Sequence, residues 1–89
     1  MKIIDGFILR TLVGEHIVTG EGLKQINFNK IVSLNESAAY LWEKVEGKEF
    51  TVKTLTDLLL EKYEVDEKTA SEDAAALAKS WIEAGIVEE

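Results

Sequence analysis

The side chains able to do chemistry are few, and their spacing argues against catalysis. His16 is the only histidine and cysteine is absent, which removes thiolate nucleophiles, disulfides and the common nitrogen–sulfur metal sites. A metal site would have to be built from His16 and carboxylates alone, and no aspartate or glutamate spacing gathers such a set on one face. His16 also has no visible partner of the kind a general base or a triad needs, and it sits within a β-like run. Gly14, Gly20 and Gly22 neither match a nucleotide fingerprint nor lead directly into a helix. The reading is therefore of no catalytic residue, no metal and no cofactor.

One carboxylate has an unusual setting. Asp73 lies in a helix-forming stretch with alanines at 70, 74, 75, 76 and 78. A solvated carboxylate is the commoner reading of such a residue, with a binding role as its rival. The alanines matter more, since a helix with little side-chain bulk lets another backbone come close.

Composition narrows the class further. The chain has 89 residues, 46% of them hydrophobic, and a net charge of −7. That length supports one domain, 1–89, with a modest core, and that hydrophobicity argues against disorder. No window approaches the roughly 20 apolar residues of a membrane span. The first residues lack a signal-peptide core, so the cytoplasm is the expected compartment. Residues 1–34 hold four Lys/Arg against three Asp/Glu, whereas residues 35–89 hold six against fourteen. Basic groups supply most nucleic-acid affinity, so an acidic C-terminal half argues against that ligand.

The elements follow from periodicity. Residues 7–13 and 15–19 are rich in β-branched and aromatic types and meet at Gly14, which reads as a hairpin. A looser segment over 21–29 leads to a third strand at 30–34, with Val32 and Leu34 on one face and Ile31 and Ser33 on the other. Asn35 is a helix N-cap, a structural role preferred here over a binding one. Ala38, Leu41, Trp42 and Val45 follow at i, i+3, i+4 and i+7. Gly47 ends that helix and Phe50 plugs the core from the connection. Thr51 caps a second helix carrying Val52, Leu55, Leu58, Leu59 and Tyr63. Asp66 caps a third with Ala70, Ala74, Leu77, Ala78 and Trp81 as its apolar stripe, and Gly85 ends it. The phase of Trp42 and Trp81 makes them core residues rather than stacking platforms. The fold class is α+β and winged helix-turn-helix-like, with three short N-terminal strands followed by a three-helix bundle. Sequence leaves open whether the strand at 30–34 is internal or an exposed, ligand-accepting edge.

The run Leu34-Asn-Glu-Ser-Ala-Ala-Tyr-Leu-Trp-Glu43, then Gly47, Leu55-Thr-Asp-Leu-Leu-Leu-Glu-Lys-Tyr63, Asp66, Asp73 and Ala84-Gly-Ile-Val87, resembles the PqqD family, named for coenzyme PQQ synthesis protein D. The likeness extends over about residues 7–87. It implies a non-catalytic recognition element for ribosomally made, post-translationally modified peptides. Such an element binds the leader segment of a precursor peptide as an added strand and presents the core to a maturation enzyme, commonly of the radical S-adenosylmethionine (radical SAM) type. The positions that would contact the peptide are Lys30, Ile31, Val32, Ser33 and Leu34 on the strand and Asp73, Ala74, Ala78 and Ile82 on the third helix. The implied partners are that leader peptide and that enzyme, with no nucleic acid and no membrane, and the open strand edge also suits a second copy of the chain. Two alternatives remain: a winged-helix DNA-binding regulator, which rests on the same helix order and is disfavoured by its acidic reading helix, and a protein–protein adaptor using the acidic helical surface.

Overall fold

Three side-chain caps set the helix starts. The Asn35 carboxamide oxygen accepts the Ala38 N–H at 2.8 Å, Thr51 Oγ1 accepts the Thr54 N–H at 3.2 Å, and Asp66 Oδ1 accepts the Thr69 N–H at 2.7 Å. Each satisfies a donor that the first helical turn leaves without an intrahelical partner, a contribution of about 1 kcal/mol per cap. In this computed structural model, which describes residues 1–20 and 31–89, the elements run in the order β1 (Lys2–Ile3), β2 (Phe7–Leu12), β3 (Glu15–Gly20), β4 (Ile31–Leu34), α1 (Glu36–Val45), α2 (Val52–Lys62), α3 (Glu67–Glu83) and β5 (Val87–Glu88). The architecture is α+β, with three antiparallel strands followed by three helices. The expected loose segment at 21–29 and Lys30 lie outside the described residues.

β2, β3 and β4 form an antiparallel sheet in that spatial order. Gly47 and Gly85, with φ of 73° and 78°, take the left-handed conformation expected just beyond α1 and α3. A second, two-stranded sheet was not anticipated from the sequence. β1 pairs antiparallel with β5, Ile3 opposite Val87, and Met1 exchanges backbone hydrogen bonds with Phe50. These strands are two residues each, too short for periodicity to register, and their pairing joins opposite ends of the chain.

The core gathers on the two tryptophans. Trp42 and Trp81 are fully buried and meet edge to face with centroids 5.4 Å apart. Phe50, also buried, stands edge-on to Trp81 at 6.3 Å, a geometry favoured by the ring quadrupoles. Trp42 donates its indole N–H to Glu46 Oε1 at 3.0 Å, while among the described residues Trp81 Nε1 has no partner. Around them pack Leu41, Val45, Leu55, Ala70, Ala74, Ala78 and, from the sheet, Val18 and Leu34.

Candidate functional site

The register of the sheet decides which backbone groups are free. Leu12 pairs with Glu15, so the β2–β3 hairpin closes on the two residues Val13 and Gly14, both with positive φ. That is the signature of a type I′ turn, whose flanking residues exchange both hydrogen bonds. Hydrogen-bonded pairs then alternate along the hairpin, so Glu15, Ile17 and Thr19 direct their backbone groups to β2, and His16, Val18 and Gly20 direct theirs to β4. Since His16 faces Leu34 and Val18 faces Val32, Val32 and Leu34 bond to β3. The N–H and C=O of Ile31 and Ser33 point to the opposite side of β4, where nothing pairs among the described residues. The strand at 30–34 is thus an edge strand over its described part.

The edge runs into a cleft. Asn35, next after β4, lines a cavity of about 430 Å³ between α1, α2 and α3. Its apolar lining comes from Ala38, Leu41, Leu59 and Leu77, and its polar groups are those of Asn35, Ser37, Asp73 and Ser80. Asp73, Ala76, Leu77 and Ser80 lie at i, i+3, i+4 and i+7, one stripe of α3.

The expected contact residues fall in different places. Ile31 and Ser33 are exposed, Val32 is half-buried and Leu34 is buried, in keeping with the alternation read from sequence. Asp73 is exposed on the cleft. Ala74 and Ala78 belong to the core, so the small side chains at 70, 74 and 78 serve the packing of α3 against the rest of the domain. Ile82 lines a different cavity with Met1, Val52, Ala75 and Ala78, on the far flank of the buried stripe. One face was expected to hold Asp73, Ala74, Ala78 and Ile82. At about 100° per residue they spread around half the helix, and of the four only Asp73 shares the cleft with Asn35, the residue that follows β4. Leu77, Ser80, Leu41 and Ser37 also line the cleft and are not among the contact positions expected from the sequence. The 73/76/77/80 spacing was a signal for two of them, masked by Leu77 reading as core.

His16 hydrogen-bonds through Nδ1 to Thr11 Oγ1 at 3.0 Å. Among the described residues there is no group of three His, Cys, Asp or Glu arranged to hold a metal ion.

The sequence matches the family model for coenzyme PQQ synthesis protein D (PqqD) over residues 8–87. The chain belongs to the PqqD family. Its members are non-catalytic peptide-binding partners, so this PqqD-family chain is a binding protein and not an enzyme. Among solved structures, the PqqD-type fold recurs in TbiB1 in complex with the TbiA(beta) leader peptide, with a TM-score of 0.74 and 20% sequence identity, covering 99% of this chain and 95% of that one. At that identity the likeness establishes the fold. No curated protein matches the sequence. No helix among the described residues is long and apolar enough to cross a membrane.

Proposed function

We propose that this protein captures the leader segment of a ribosomally made precursor peptide by strand addition at β4 and presents the tethered core to a separate modifying enzyme in the cytoplasm. The radical SAM class is the enzyme type that family membership favours. The observation carrying the reading is the edge of β4 that nothing pairs among the described residues, with the amides of Ile31 and Ser33 turned outward and the strand ending at the cleft that Leu77 lines. Strand addition draws affinity from main-chain hydrogen bonds and selectivity from alternate side chains. A leader residue opposite Val32 or Leu34 would turn its side chain inward with theirs, and one opposite Ile31 or Ser33 would turn outward. Tethering then raises the effective concentration of the core peptide at the enzyme without further contacts. The leader peptide bound to TbiB1, a protein of the same fold, supports this reading. The same edge is open to a second copy of the chain, so peptide and self-pairing would compete for it.

The test is a titration of the isotope-labelled protein with a synthetic leader peptide of a precursor encoded beside its gene, followed by amide chemical shifts. The expected result is perturbation along β4, at Asn35 and at Asp73 and Leu77. Shifts confined to the outward face of α2 would refute capture at this edge.

A further inference from the structure

Leu77 and Asp73 lie one helical turn apart on the cleft wall, and they are chemically opposite. Leu77 is half-buried and stands over an apolar floor of Ala38, Leu41 and Leu59. Asp73 is exposed and, among the described residues, is the only charged group lining the cleft, the other polar groups being the neutral side chains of Asn35, Ser37 and Ser80. Its own helix does not neutralise it, because the neighbours at i±3 and i±4 are Thr69, Ala70, Ala76 and Leu77. The ion pair between Lys53 and Asp57 lies elsewhere, on α2.

The spacing of this pair fits an extended peptide. Residues four apart on a helix are separated by roughly 6 Å along its axis, and same-face residues of a strand by roughly 6.7 Å. A strand leaving the β4 edge along α3 therefore sets one inward side chain at Leu77 and the next inward side chain at Asp73.

We propose that Asp73 makes this cleft selective for a peptide that carries a lysine or arginine two residues from the apolar side chain seated at Leu77. The inference rests on the strand-addition reading and adds the chemistry of the segment recognised. The apolar anchor supplies burial, while the carboxylate accepts a charge-assisted hydrogen bond from the cation and penalises an acidic residue at that position.

The experiment selects short random peptides displayed on phage against the wild-type protein and its Asp73→Asn, Asp73→Lys and Ser33→Pro variants. Labelled consensus peptides are then titrated by fluorescence anisotropy. The wild type is expected to enrich Lys or Arg two positions from a Leu, Ile, Val or aromatic residue. Asp73→Asn loses the basic preference and weakens the wild-type consensus peptide about threefold to tenfold at low salt, a gap that narrows at about 0.5 M salt. Asp73→Lys shifts the preference to Asp or Glu. An apolar consensus without a basic position, or the same basic preference in all Asp73 variants, overturns the role of Asp73 and leaves strand capture standing. Selected peptides that bind Ser33→Pro as tightly as wild type overturn both readings, since that substitution removes an outward N–H on which capture depends.

Discussion

Val13 holds a conformation that its side chain disfavours. It sits at the β2–β3 turn with φ of 38°, and it is fully exposed, so no packing compensates. Positive φ is an outlier for a β-branched residue, whereas asparagine before glycine is the preferred type I′ pair. Val13→Asn is therefore expected to stabilise the fold by about 1 kcal/mol, seen as a higher urea midpoint with an unchanged m-value. Asp66 gives a second prediction at this scale. Hydrogen bonds from the Thr69 side chain and backbone N–H hold its carboxyl below its ordinary pKa. A carboxyl whose folded-state pKa is depressed adds stability above its unfolded value, and loses that contribution as pH falls through the folded one. Asp66→Asn keeps the capping oxygen but does not titrate. The advantage of wild type over this variant should thus shrink as pH is lowered from neutrality through about pH 4 and below, read from denaturant midpoints. A constant difference would remove Asp66 from the acid response.

At the scale of elements, β4 has two chemically different sides. Val32 and Leu34 bond to β3, and Ile31 and Ser33 face outward. Proline lacks an N–H and is tolerated in a sheet only where that N–H is not needed. Ser33→Pro should leave the thermal midpoint nearly unchanged while weakening peptide binding by at least about tenfold, the loss of roughly one main-chain hydrogen bond with its desolvated partner. Val32→Pro breaks the ladder to β3 and should destabilise the fold by about 3 kcal/mol. Circular dichroism melts and anisotropy titrations separate the two effects. Equal loss of stability in both variants would show that the register places the free groups of β4 elsewhere.

Over the whole molecule, Trp81 joins the parts. It ties α3 to α1 through Trp42 and to the α1–α2 connection through Phe50, and that connection is held to the N-terminal segment by the Met1–Phe50 hydrogen bonds. Trp81→Ala should cost about 3–5 kcal/mol, a large part of the 5–15 kcal/mol typical of a domain. Trp81→Phe should cost less than half as much, since the indole N–H it removes has no hydrogen-bond partner among the described residues and most of the aromatic volume stays. Urea unfolding of the two variants, followed by the fluorescence of Trp42, checks the ordering. The charge asymmetry also belongs to this scale: the acidic balance of residues 35–89 works against phosphate and leaves a peptide ligand as the compatible class.

The sequence by itself determined the elements whose signals are local. Asn35, Thr51 and Asp66 cap helices because a short polar side chain reaches an amide three residues on. Gly47 and Gly85 end helices because they lack a Cβ, and Trp42 and Trp81 are buried because they fall on the apolar stripe of a helix. The motif run beginning at Leu34 was enough for the family. Tertiary structure alone decided that β4 is an edge strand among the described residues, because pairing joins residues far apart in the chain and leaves no mark on a strand's own alternation. It also decided that Asp73 and Ile82 face different cavities with Ala74 and Ala78 buried between them, since helical phase orders residues around an axis and only packing fixes which side meets the core.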